Sequence, residues 1–466
     1  MHYKKYYAYI PYIQQLIVQL IAFGVSIYMT RMLSIEEYGF IAIIGLIFIF
    51  PNLFINLSIE KSMLKTQAIT STDYSTHLIF NVVLSLVVYL IIVLTSSLLA
   101  VHFRAPQLGG MITLLGLSLV FDAISQVYSI KLIRKNRVLL RGKIFIASSL
   151  LGSTVGLVTL YLGFGFWSYI LMVLSHSIIQ CIFHLTLVKL KIKLVFEFNL
   201  LLKHLRTSFV GFLIFINEGF INSIYIYGIS SMSTNNLALY SRGDSLAKMF
   251  SMNITTVIEK YYLSLFSKYT SKAELLHVYA SMRTKLFLIS IGVTSFMYFA
   301  SMPLFLVFFG EKWILGVETF KYLVLAAFFI PNDKLFKTMI FSRLSMRLNL
   351  YIEIFKFSLM LIPCVFLFYA SNYHFFLISL IVVRLIILFL NNFVLLKFFR
   401  SRDFQELFAI ILLSLNIFGI QIIDHELNNY VVVTNHIMKI FYFSALSGFL
   451  YFINKYLLTF YFKPSS

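Results

Sequence analysis

The sequence predicts an all-α polytopic membrane protein that crosses the bilayer about fourteen times, with both termini cytoplasmic. Three observations carry this. Of 466 residues, 60% are hydrophobic and only 12% charged, at a mean hydropathy of +0.89; a soluble domain of that size needs a polar shell that this composition does not supply. Apolar runs of about 20 residues, the length that crosses the hydrocarbon core, recur along the whole chain. Basic residues concentrate in alternate breaks between those runs.

The runs lie near 10–30, 39–58, 77–101, 108–130, 144–162, 167–188, 208–230, 237–259, 284–309, 319–342, 350–369, 374–396, 406–423 and 433–454. The stretch Met1 to Ile10 is basic but leads straight into a full-length run without a small-residue cleavage site, so a first transmembrane helix is expected and not a cleaved signal. The break after the fourth run holds Lys131, Arg134, Lys135, Arg137, Arg141 and Lys143; the breaks after the sixth, eighth, tenth and twelfth are also basic. With the termini, that side carries roughly 27 basic residues, against Arg31, Arg104 and Lys312 on the other. The positive-inside rule puts the basic side in the cytoplasm, and an even number of spans follows. The formal net charge of +20 thus sets topology and meets anionic membrane lipids; it is not read as a nucleic-acid surface.

Every connection is short, the longest running from about Lys260 to Arg283, so no catalytic or receptor domain fits outside the membrane. The sequence lacks HExxH, CxxC and the phosphate-binding Gly-x-x-x-x-Gly-Lys-Ser/Thr, so neither an enzyme nor a metal site is expected. Cys181 and Cys364 fall inside apolar runs and read as small buried hydrophobes. A faint internal echo, with an offset near 200 residues or six spans, relates the turn after run 1 to that after run 7 and Phe103–Pro106 to Phe309–Lys312. An even repeat of this kind relates two halves by an axis along the membrane normal.

Four stretches carry a resemblance: Leu33 to Phe40 (LSIEEYGF), Gly163 to Tyr169 (GFGFWSY), Tyr227 to Arg242, and Gly310 to Trp313 (GEKW). In order and spacing they resemble the polysaccharide and O-antigen flippases of the multidrug/oligosaccharidyl-lipid/polysaccharide exporter superfamily. The resemblance implies two six-helix lobes, residues 1–195 and 196–402, around a central cavity, with helices 13 and 14 in 403–466. It also implies a substrate: an oligosaccharide repeat unit on an isoprenoid diphosphate lipid, moved from the cytoplasmic to the outer leaflet of a bacterial inner membrane by alternating access. Polysaccharide polymerase and chain-length machinery are the expected partners. The chain departs from the family where an acidic residue often precedes Gly228 by about five positions; Asn222 and Ser223 stand there, and Ala238 replaces a usual Gly.

Charges within spans cost about 2.5–3.5 kcal/mol on insertion scales, so each asks for a reason. Asp244 with Lys248, Asp333 with Lys337, and Glu353 with Lys356 have partners expected along their own helices. Asp122, Glu218, Arg242, Arg384 and Lys439 have none nearby in sequence. The eighth run places Arg242, Asn253, Thr256 and Lys260 within about 40° of one direction. The first carries Gln15, Gln19 and Ser26 on one face, the second Asn52, Asn56 and Glu60, beside a Pro51 expected to bend its helix. Sugar hydroxyls and a diphosphate are not solvated by hydrocarbon. Amides at Gln15, Gln19, Asn52, Asn56 and Asn253 suit the sugar, and guanidinium groups at Arg242 and Arg384 suit the phosphates or a sugar acid. Asp122 and Glu218 are candidates for proton or sodium coupling, without a resident cofactor. Two other classes compete: a multidrug/cation antiporter of the same superfamily, and a membrane polysaccharide polymerase or ligase, which the short, nearly uncharged external breaks disfavour.

Overall fold

A computed structural model describes residues 10–55, 62–63, 66, 69–189, 195–257, 266, 271–343 and 346–399. The expected spans 13 and 14 lie outside the described residues. Within them the chain is helical and contains no strand. By contacts it divides into two compact units, Met1–Ala238 and Leu239–Ser466.

The first unit is built from α1 (Ile10–Met32), α2 (Ile35–Ile55), α3 (Ser71–His102), α4 (Gln107–Arg134), α5 (Val138–Tyr161), α6 (Trp167–Leu187) and α7 (Phe198–Met232). Its helices are inside-out relative to those of a soluble protein. On α3 the buried residues include Asp73, His77, Asn81, Ser85 and Ser96, whereas Leu86, Leu90, Leu94 and Leu98 are 49–69% exposed. Water would reject such a face, and hydrocarbon accepts it. Helix α4 is the central element and packs against α3 and α6, while α5 packs on α6 and α1. The α5–α6 contact is close because Gly152 and Gly156 face His176 and Met172, the small-residue packing that membrane helices favour. Helix α7 packs on α2 and α3, so the division by contacts falls after α7, at Ala238.

Helix α2 runs unbroken through Pro51 to Ile55 instead of ending at it. The ring removes one amide donor, so Ile47 lacks that helical hydrogen bond beside the polar face.

The second unit takes in most of α8 (Thr234–Val257), with α9 (Lys272–Phe299), α10 (Ser301–Phe308), α11 (Gly316–Ala327), α12 (Ile330–Arg343), α13 (Met346–Met360), α14 (Ile362–Phe368) and α15 (Tyr373–Phe399). Two of the expected single spans are interrupted here, and a third, still continuous enough to count as one span over Leu348–Phe368, is irregular only at Leu361. The run at 284–309 is α9 and α10, bent by 68°; that at 319–342 is α11 and α12; that at 350–369 is α13 and α14. A proline follows each of these points: Pro303, Pro331 and Pro363 all sit in the first turn of the helix that restarts. A first-turn proline loses no hydrogen bond, but a proline deeper in a continuous helix would. Apolar-run analysis sees composition and misses these breaks. A core of Leu275, Tyr279, Leu335, Phe336, Met339 and Ile340 joins α9 to α12.

Among the described residues, seven helices are long and apolar enough to cross a membrane, or eight if α9 and α10 count as one bent span.

Candidate functional site

A cavity of about 540 Å³ opens within the first unit between α2, α4, α6 and α7. Its wall is apolar at Ile44, Phe48, Leu115 and Val173, and polar at Asn52, Ser118, Asp122, Tyr169 and Asn222. Each polar group arrives on a different turn of a rigid helix. Two amides, two hydroxyls and a carboxylate thus converge without a lysine or arginine among the described lining residues. Asp122 also accepts a hydrogen bond from Ser177 of α6, a buried residue. Such a wall can solvate hydroxyls and amides in hydrocarbon, and can hold a cation or proton at Asp122.

Of the residues nominated from sequence, the structure brings Asn52 and Asp122 together. Gly219 lines the same cavity; Glu218 precedes it on α7, and its side chain is outside the described residues, as is that of Gln15. Gln19 is exposed on α1. Asn56, Glu60, Lys260 and Lys439 lie outside the described residues, as does the side chain of Thr256. Asn222 was marked only as a departure from the family pattern, yet it reaches the cavity, while Ser223 turns its hydroxyl back to the Gly219 carbonyl at 2.8 Å.

Arg242, Asn253 and Arg384 belong to the second unit. The Arg242 guanidinium lies over the Phe309 ring at 5.8 Å. Asn253 donates to the Met249 carbonyl at 2.9 Å, a bond along its own helix. Arg384 is within electrostatic reach of Asp333. The Asp244–Lys248 pair forms as expected, at 2.7 Å. The other pairs exchange partners across helices: Lys356 of α13 reaches Asp333 of α12 at 2.6 Å, and Lys337 of α12 reaches Glu353 of α13 at 2.9 Å. Asn391 of α15 adds a hydrogen bond to Asp333 at 2.9 Å. Lys356 stays 3.8 Å from Glu353, so that expected pair survives as the weaker contact.

The motif turns have structural roles. Ser34 and Glu37 form a capping box at the start of α2: Ser34 N–H donates to Glu37 Oε2 at 2.7 Å, and Glu37 N–H to Ser34 Oγ at 3.2 Å. The other carboxylate oxygen, Oε1, accepts from Phe166 N–H at 3.3 Å, tying LSIEEYGF to GFGFWSY. Gly165 there has φ +55°, and a Cβ would sit 2.7 Å from that oxygen. At Gly39 a Cβ would meet Thr234 at 2.4 Å, at the turn between α7 and α8. In GEKW, Gly310 ends α10 and Trp313 is fully buried beside Phe309.

Sequence reasoning missed a second cluster. Asp73, His77, Asn81 and Ser85 recur every fourth residue of α3, all buried. Asp73 Oδ2 caps the helix by accepting from Thr70, and Oδ1 pairs with His204 Nε2 of α7 at 3.3 Å. His204 Nδ1 meets the Ser62 hydroxyl at 2.8 Å. Asn81 donates to Gln126 of α4 at 2.8 Å. The four-residue period was readable beforehand, but apolar neighbours hid it.

The fold recurs in solved structures. The lipid II flippase MurJ, in an inward closed conformation, aligns at a TM-score of 0.69 and 14% identity over 97% of this chain and 98% of that one. An inward-facing multidrug resistance MATE family transporter of the MOP superfamily aligns at 0.59 and 14% identity, over 83% and 96%. At such identity the likeness concerns the fold. None of the curated proteins matches in sequence. Residues 28–318, well over half of the chain, match the family model described as polysaccharide biosynthesis protein, and they take in all four motif turns. The chain is a multi-pass membrane protein that belongs to the polysaccharide biosynthesis protein family.

Proposed function

We propose that the chain is a flippase that carries an isoprenoid-diphosphate-linked oligosaccharide, of the O-antigen repeat type, from the cytoplasmic to the outer leaflet of a bacterial inner membrane. The observation that carries this reading is the cavity at Asn52, Asp122 and Asn222: a polar chamber walled by spanning helices is what a glycan head needs while its lipid tail stays in hydrocarbon. Family membership and a fold shared with a lipid II flippase support it. Residues 1–195 and 196–402 are the two lobes of an alternating-access cycle, completed by two further helices to fourteen spans with cytoplasmic termini. Gln15, Gln19, Asn52, Asn56 and Asn253 serve the sugar, and Arg242 and Arg384 the diphosphate. Asp122 and Glu218 couple transport to a proton or sodium gradient. The flipped units pass to a polysaccharide polymerase and its chain-length machinery.

A strain lacking the gene tests this. The expected result is loss of long-chain surface polysaccharide, with complete lipid-linked repeat units accumulating on the cytoplasmic leaflet. Single unpolymerised repeats at the surface would mean that translocation survives and would move the assignment to a polymerase. Unchanged polysaccharide with new sensitivity to cationic drugs would favour the antiporter that shares this fold.

A further inference from the structure

The α3 ladder leads from the end of the first unit that carries the basic connections toward the cavity. At the outer rung, Ser62, His204 and Asp73 form a continuous hydrogen-bonded chain, and all three are at most 6% exposed. Arg134 of α4 closes this end by donating to the carbonyls of Met63 and Thr66 at 2.6 and 2.7 Å. One turn further along α3 is His77, 3% exposed, with neither ring nitrogen hydrogen-bonded among the described residues. A buried imidazole without partners is costly in a membrane-spanning helix, and each of the other buried polar residues of α3 makes at least one hydrogen bond. Another turn on is Asn81, fully buried, which donates to Gln126 and leaves its own oxygen unpaired. Gln126 stands one turn of α4 from Asp122, the cavity carboxylate.

Side chains four apart on a helix have Cβ atoms about 5–6 Å apart, a gap that one bridging water closes. The unpaired atoms of His77 and Asn81 supply the partners that such a water needs. We infer that Asp73, His77, His204 and the Asn81–Gln126 pair form a proton pathway between the cytoplasmic end of the first unit and Asp122. This rests on the flippase reading above and deepens it by naming the coupling ion and its route.

The transfer balances without any other reactant. Asp122 takes a proton from outer water when its cavity faces out. It then loses that proton to waters held along the Gln126 and Asn81 amides, and the last of these protonates one nitrogen of His77 while the first regains its proton from Asp122. His77 releases the proton of its other nitrogen toward Asp73 and His204, and cytoplasmic water receives it. Asp122 is left a carboxylate, and only O–H and N–H bonds change. The charged and titratable groups around His77 are Asp73 on its own helix and His204 from α7; Tyr74 of α3 interacts with Asp73 and with Arg134 of α4. His77 carries the step because it can accept on one nitrogen while donating from the other.

The test uses the full-length protein in oriented proteoliposomes, with the proton as probe. Infrared difference spectra follow the Asp122 carboxyl after a pH step on the side bearing the termini, the band being assigned by its loss in Asp122→Asn. In His77→Leu the band should respond more slowly by on the order of tenfold or more. His77→Gln keeps size and hydrogen bonding but carries no proton this way, and should be equally slow. A response at the wild-type rate in folded His77→Gln overturns the pathway, whatever His77→Leu does. Export in cells is scored separately: slowed titration alongside unaltered polysaccharide in the deletion strain would sink the flippase reading and leave the pathway standing.

Discussion

The two units treat charge in opposite ways. In the second, Asp333, Glu353, Lys337 and Lys356 neutralise one another across α12 and α13, and Asn391 supplies a further donor. In the first, Asp122 faces a cavity of about 540 Å³ with Ser177 as a neutral partner. A closed ion network holds helices together and leaves nothing for a ligand to do. An open carboxylate among amides and hydroxyls is poorly compensated until something enters. The helices follow the same contrast: α3 to α6 of the first unit run unbroken through more than 20 residues each, whereas in the second the chain is interrupted ahead of Pro303 and Pro331.

That contrast is most easily broken by removing one charge from each side. Lys356 is 6% exposed, and Lys356→Leu takes from Asp333 its 2.6 Å cation and leaves it Asn391 and the more distant Arg384, while Glu353 keeps Lys337. Breaking a buried ion pair from one side costs about 3–5 kcal/mol, so the variant should melt far below the wild type in detergent or fail to accumulate. Asp122→Asn makes a change of similar chemical size with the opposite result. It removes a poorly compensated carboxylate, so melting should be unchanged or raised, while export of surface polysaccharide is lost. If Asp122→Asn destabilised the protein as much as Lys356→Leu, the two sites would not differ in kind.

A smaller effect is expected where the first unit does carry structural polar contacts. Glu37→Ala removes the α2 capping box and the bond from Phe166 N–H, a loss of about 1–2 kcal/mol by analogy with other helix caps. Glu37→Gln keeps one acceptor oxygen, enough for the bond from Ser34 N–H or that from Phe166 N–H but not both, and should recover about half of that loss. Thermal melting of the purified protein reads both, and a Gln variant as weak as Ala would mean that charge, not hydrogen bonding, joins the turns.

The helices from Ile10 to Met232 were legible because composition alone marks a span in hydrocarbon, and the runs at 108–130 and 167–188 fall almost wholly on α4 and α6. The breaks ahead of two prolines were not, since proline counts as one more residue in a long apolar run although it restarts the helix. Asn52 and Asp122 were found by asking which polar side chains a span has no reason to hold. The cross-helix partners of Asp333 and Glu353 were not legible, because spacing along one helix says nothing of the helix beside it. Asn222 and His77 illustrate two further limits. The first was judged against a family pattern and not for its own amide; the second lay in a period-four stripe that only burial makes visible.

The weakest test of the comparison lies on α8. Asp244 and Lys248 pair at 2.7 Å along one helix in the second unit, but their side chains are 24% and 26% exposed. Membership of that unit would suggest a large effect, as at Lys356; partial exposure and local geometry suggest a small one. Exposed i,i+4 pairs contribute about 0.3–0.5 kcal/mol, and screening lowers that further. Asp244→Asn should therefore shift melting by no more than a degree or two. A double-mutant cycle with Lys248→Met isolates the pair from other effects of each change. A coupling above about 2 kcal/mol, the range of buried charge pairs, would show that the closed network of the second unit extends onto α8. A coupling near zero confines it to the α12, α13 and α15 contacts at Asp333 and Glu353.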